Sequence, residues 1–87
     1  MKKEEIKDIL GENELRFANV SFFEVNELMR YAKVNLKMDS VSLDYYYEID
    51  INELCESNIP IEMVNAMKDR GWCMSEDGET IILFLNI

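Results

Sequence analysis

The chain has 87 residues, 48% of them hydrophobic and 31% charged, with 18 acids against nine bases and no histidine, for a net charge of −9. That length makes one small domain, residues 1–87, and that apolar share excludes an acidic disordered tail. The acidity opposes direct binding to nucleic acid, and the lack of histidine removes the commonest metal ligand and general base.

Residues Lys2 to Leu10 read as a short helix, with Ile6, Ile9 and Leu10 on one face and Gly11 placed to end it. From Glu12 to Val20, Leu15 and Phe17 alternate with Arg16 and Ala18, a pattern that fits a short strand or an irregular crossing. Ser21-Phe22-Phe23-Glu24 is a capping box: the serine oxygen can accept a free backbone N–H, and Glu24 can accept from the serine N–H. The helix it opens carries Phe22, Val25, Leu28, Met29 and Ala32 as its apolar stripe, with Asn26, Glu27, Arg30 and Lys33 opposite.

The period then changes from 3.6 to 2. Over Ser40 to Ile51, Val41, Leu43, Tyr45, Tyr47, Ile49 and Ile51 form one face, and Ser42, Asp44, Tyr46, Glu48 and Asp50 the other. This predicts one strand of an antiparallel sheet with one side in water. Asp50-Ile51-Asn52-Glu53 can cap a short helix through about Ser57, with Leu54 turned inward. Pro60 fits the first position of a further helix whose buried stripe is Met63, Val64 and Met67. Gly71 suits its left-handed end, and Trp72 can pack back on Met67. Asp77-Gly78 predicts a two-residue hairpin turn joining residues 72–76 to residues 79–86. The stretch Thr80 to Leu85 is nearly all apolar, which places it centrally or covered on both faces. The expected fold is α+β: a small three- to four-stranded antiparallel sheet with three or four helices packed on one face.

Cys55 and Cys73 are the only cysteines, with no Cys-x-x-Cys spacing, and read as reduced, largely buried thiols. No Gly-rich phosphate loop, nucleophile elbow or cofactor motif is present, so the expectation is a non-enzyme without cofactors or metal. The longest apolar run, Ile81 to Leu85, is too short to span a bilayer, and Met1 to Ile6 lacks the apolar run of a signal peptide. The reading is a cytoplasmic protein of a bacterial host cell.

Met1 to Lys37 holds seven acids and seven bases, whereas Met38 to Ile87 holds eleven acids against Lys68 and Arg70. A one-sided charge makes a long-range field that selects partners. Asp44, Glu48 and Asp50 share one strand face with Tyr46, and Glu53, Glu56, Glu76, Asp77 and Glu79 can extend it. A row of carboxylates at strand spacing can stand in for a row of phosphates, and an exposed tyrosine offers a cation–π surface to arginine. These nine residues form the expected partner-binding site, facing a basic protein surface. Two blander readings compete: a solvated face that maintains solubility, and a cation site at Asp50, Glu53 and Glu56 that lacks the spacing of a calcium loop.

In size, acidity and lack of catalytic residues the chain resembles the small phage-encoded anti-defence proteins, which include anti-CRISPR and anti-restriction DNA mimics. The likeness is one of overall character and transfers no residue roles. It implies an inhibitor that occupies the nucleic-acid-binding site of a host nuclease or other nucleic-acid-binding protein. The alternative is a structural or assembly module, an accessory subunit or a homodimer, pairing through its apolar C-terminal strand.

Overall fold

The computed structural model describes residues 1–11, 17–18 and 22–86. Its helices are α1 (Lys3–Leu10), α2 (Phe22–Leu28), α3 (Ile51–Glu56) and α4 (Ile61–Arg70). Its strands are β1 (Phe17–Ala18), β2 (Asn35–Met38), β3 (Tyr45–Asp50), β4 (Cys73–Met74) and β5 (Thr80–Leu85). The α+β class is as expected. β2, β3 and β5 run antiparallel in that spatial order. The far side of β5 is shared by two short strands, β4 antiparallel at Ile81 and Ile82 and β1 parallel at Phe84 and Leu85.

Strand alternation decides which residues reach the core. Along β5, Ile81, Leu83 and Leu85 are buried while Ile82 and Phe84 are half-buried on the opposite face. The buried set meets Ile6 and Leu10 of α1, Leu28 of α2, Ile51 and Leu54 of α3, and Val64 and Met67 of α4. Each such Ile or Leu contributes roughly 1.5–3 kcal/mol by leaving water. The end of α4 follows the expectation from Gly71. At φ 109° this glycine takes a left-handed turn, with its N–H on the Lys68 carbonyl and the Trp72 N–H on the Met67 carbonyl, both at 3.0 Å. The turn delivers Trp72 into the core at 2% exposure, its ring 6.4 Å from that of Tyr47.

Several local expectations need correction. The strand expected over Ser40 to Ile51 begins only at Tyr45, and Ile51 already belongs to α3. Residues 39–44 are instead a tight turn from β2, held by the Asp39 side chain. Its Oδ1 accepts the N–H groups of Val41 at 2.8 Å and Ser42 at 3.1 Å, and the Leu43 N–H donates to the Asp39 carbonyl at 2.9 Å. Leu43 sits in left-handed backbone (φ 62°), so Val41 and Leu43 are 91% and 63% exposed rather than inward. Met29 lies past the end of α2 and is exposed, although Ala32 is buried as expected.

The α3 cap is made by Asp50 alone, whose Oδ1 accepts the Asn52 N–H at 2.8 Å, and Pro60 is the N-cap of α4 rather than its first residue. The Asp77-Gly78 turn is longer than expected. Among non-glycine residues only Leu43 and Asn58 have positive φ, so Asp77 does not adopt the two-residue turn. A four-residue loop at 76–79 is closed by the Ser75 N–H on the Thr80 carbonyl and the Gly78 N–H on the Ser75 carbonyl. The capping box at Ser21 and the segment 12–16 lie outside the described residues.

Candidate protein-interaction surface

The fold distributes the nine expected acidic-site residues unevenly. Tyr46 and Glu48 lie on the sheet face away from the helices, across from Phe84 and Ile82. Tyr46 is half-buried with its ring 5.1 Å from Phe84, so it packs on an apolar stripe rather than standing free among carboxylates. Glu48 accepts from the Lys37 ammonium at 2.8 Å, a hydrogen bond that raises the Lys37 pKa above the usual lysine value. Asp50 is committed to the α3 cap, and Glu53 Oε2 accepts the Lys33 N–H at 3.3 Å. Asp77 closes its own loop, accepting the Ser75 hydroxyl at 2.5 Å and the Glu79 N–H at 2.8 Å. These bonds, the hydroxyl first, hold its carboxyl below the ordinary aspartate value. Glu79 pairs with Lys3 at 3.2 Å. Only Asp44, Glu56 and Glu76 have carboxylates without a hydrogen bond or ion pair among the described residues.

Position follows from register. Asp50 is paired with Thr80, and the Ile51 N–H reaches the Glu79 carbonyl at 3.1 Å, so Asp50 lies beside the loop that carries Glu76, Asp77 and Glu79. Lys3 meets that cluster at Glu79, and the Lys7 ammonium lies beside Gly78. Asp44 lies at the other end of β3, roughly 20 Å away at strand spacing. The row is therefore broken into a neutralised cluster, a paired Glu48 and a separate Asp44.

Charge that is segregated in the sequence is interleaved in space. Three ion pairs, Lys3–Glu79, Lys37–Glu48 and Arg70–Glu24, join the balanced first part of the chain to the acidic remainder, and Arg30–Glu27 is local. Exposed pairs of this kind contribute little stability, typically under about 1 kcal/mol each. Their effect is to place cations among the acids and shorten the reach of the field. Among the described residues no three Asp, Glu or Cys side chains group to hold a metal, the Asp50, Glu53 and Glu56 combination included.

The residues that stand out in space were not in the expected site. Leu36, Met38 and Tyr45 are 57%, 50% and 42% exposed. Pairing of Leu36 with Tyr47 and of Met38 with Tyr45 puts all three on the sheet face that the helices cover elsewhere. They form an apolar shelf where the helical layer stops. The turn adds Val41 and Leu43, and the five side chains expose an area on the order of 500 Å², at the top of the range for a monomer's largest apolar patch.

The shelf borders a free sheet edge. The Asp39 N–H bonds to the Asp44 carbonyl, which makes 38:45 a non-hydrogen-bonded pair. Alternation then turns the N–H and C=O groups of Leu36 and Met38 away from β3, and β2 has no second neighbour among the described residues. β5 offers no such edge: β3 lies on one side of it and β4 and β1 on the other. Assembly through the apolar C-terminal strand is thereby blocked, because a central strand has no unpaired side. The signal for β2 was the alternation of Asn35, Leu36, Lys37 and Met38 before the turn-forming Asp39-Ser40.

Other features are minor. Between α2 and α4 an apolar cleft of about 160 Å³ is floored by Leu28, Met63, Met67 and Trp72 and rimmed by Glu24, Glu27 and Arg70. That is below the roughly 300 Å³ at which small-molecule pockets begin. Cys73 is buried and Cys55 half-buried, both as free thiols, and burial pushes the Cys55 thiol pKa up. Among the described residues no helix is long and apolar enough to cross a membrane. No known protein family matches the chain, and comparison with curated proteins and with solved structures found nothing similar.

Proposed function

We propose that this chain is a non-enzymatic protein-binding module that docks through the β2 edge and the apolar shelf beside it. The observation that carries the reading is their coincidence: unpaired backbone groups at Leu36 and Met38 flanked by Leu36, Met38 and Tyr45 side chains at 42–57% exposure. Strand addition draws affinity from such backbone groups and specificity from the adjoining side chains. Devices that blunt an edge are weak here. β2 contains no proline, and its lysine is neutralised by Glu48.

The narrower reading is an inhibitor filling the nucleic-acid site of a host nuclease or other basic protein. It is supported by the net charge of −9 and by the open carboxylates of Asp44, Glu56 and Glu76. The two readings are separated by partner capture from a bacterial lysate with two variants. The edge variant carries Leu36→Lys and Met38→Lys; the acid variant carries Asp44→Ser, Glu48→Ser and Asp50→Ser. Docking through the edge predicts capture lost in the edge variant, retained in the acid variant, and insensitive to added DNA. Loss in the acid variant alone, with release of the wild-type partner by DNA or salt, would establish nucleic-acid mimicry instead.

A further inference from the structure

We infer that the occupant of the β2 edge is a second copy of this chain, paired antiparallel about a two-fold axis with Leu36 facing Leu36 of the other copy. The inference rests on the edge-docking reading above and adds the partner and the register. A two-fold perpendicular to the sheet keeps the helix-covered face on the same side in both copies, so facing residues must share a face. Two registers satisfy this and also match the outward N–H and C=O groups of Leu36 and Met38. In one, Leu36 faces Leu36 and Met38 faces Val34; in the other, Leu36 faces Met38 and Lys37 faces Lys37.

Charge chooses between them. Like charges directly opposite each other destabilise a sheet. Placing Lys37 against Lys37 incurs that repulsion, whereas the first register sets Lys37 against Asn35. Asn35 is itself paired with Glu48 on the same outer face. Lys37 then lies between the Glu48 it already bonds at 2.8 Å and the Glu48 of the other copy. β2 itself carries no acid, so it is a place where two molecules of charge −9 can meet without opposing carboxylates. On the inner face the row Met38, Leu36, Leu36, Met38 joins the two exposed shelves, and Val34, already packed against the core, extends the apolar contact. The product is one continuous sheet across both copies.

The test is sedimentation equilibrium of the full chain over a wide concentration range, at about 0.05 M and about 0.5 M salt. The mass should rise from the 10.3 kDa monomer toward twice that value, and higher salt should strengthen association by screening two like-charged molecules. The Leu36→Lys variant should stay at 10.3 kDa over the same range. Register is read by oxidation: Leu36→Cys on a Cys55→Ser background should form an intermolecular disulfide, because facing Cα atoms in a hydrogen-bonded pair lie about 5.5 Å apart. Lys37→Cys on that background should not. A 10.3 kDa mass at every concentration, or a dimer that survives Leu36→Lys, overturns the proposal. If the chain is monomeric but Leu36→Lys and Met38→Lys still abolish lysate capture, edge docking stands with a different partner. If capture is also unaffected, both readings fall.

Discussion

Leu43 distinguishes the turn from the strand that its sequence context suggests, through the order of two substitutions. At φ 62° a residue with a Cβ in left-handed backbone costs roughly 1–2 kcal/mol. Leu43→Gly removes that cost but adds about 0.5–1 kcal/mol of unfolded-chain entropy relative to alanine. Leu43→Ala keeps the strain. Both lose the same partial contact, since the side chain is 63% exposed and only about a third of a leucine's burial is at stake. The glycine variant should therefore be more stable than the alanine variant by about 0.5–1 kcal/mol, and both should lie within about 1.5 kcal/mol of the wild type. In a regular strand the order reverses, because glycine weakens a strand interior. Urea unfolding followed by Trp72 fluorescence provides the assay, as this is the one tryptophan and it is 2% exposed. An alanine variant more stable than the glycine variant, or a loss of about 3 kcal/mol or more in either, would refute the turn and return Leu43 to a buried strand.

Further predictions concern the rest of the scaffold. Gly71→Ala should cost about 1–2 kcal/mol, since its φ of 109° is closed to a Cβ, and lower Tm by about 4–16 °C in a calorimetric scan; an unchanged Tm would mean that α4 ends differently. Asp39 and Asp77 both titrate below the ordinary aspartate value of 3.8, Asp39 through the N–H groups of Ser42 and Val41 and Asp77 through Ser75 and the Glu79 N–H. Their stabilising contribution is therefore complete above pH 3.8 and lost as pH falls through the depressed values. Asp39→Asn with Asp77→Asn should flatten the acid limb of a stability profile, and an unaltered limb would contradict the two turn networks. A thiol reagent at neutral pH should modify Cys55 slowly and Cys73 only on unfolding, given their burial and the raised Cys55 pKa. A thiol count of zero in denaturant would show a disulfide instead.

The elements legible in the sequence are those whose burial and caps are local. α4 declares itself through Met63, Val64 and Met67 and ends at Gly71, and β5 shows its central place by a continuous apolar run. The β2–β3 hairpin was obscured because Val41 and Leu43 extend the alternation of β3 backward across a turn built by the Asp39 side chain. Three of the four residues of β2 are exposed, so burial leaves no period to read there. The acidic site misled for a different reason. Its partners, Lys3 for Glu79 across 76 positions and Lys33 for Glu53 across 20, are brought near only by the fold. A run without bases in sequence is not a surface without bases in space, and only pairing in three dimensions decides the field.

The measurement that tests the account most directly is amide hydrogen exchange along β2 at low protein concentration, resolved by NMR. Lys37, whose N–H faces β3, should be protected, while Leu36 and Met38 should exchange at rates near those of an open chain and gain protection as concentration rises. Equal protection of all three amides in dilute solution would show that the β2 edge is already covered within the single chain, and the docking surface proposed for it would not exist.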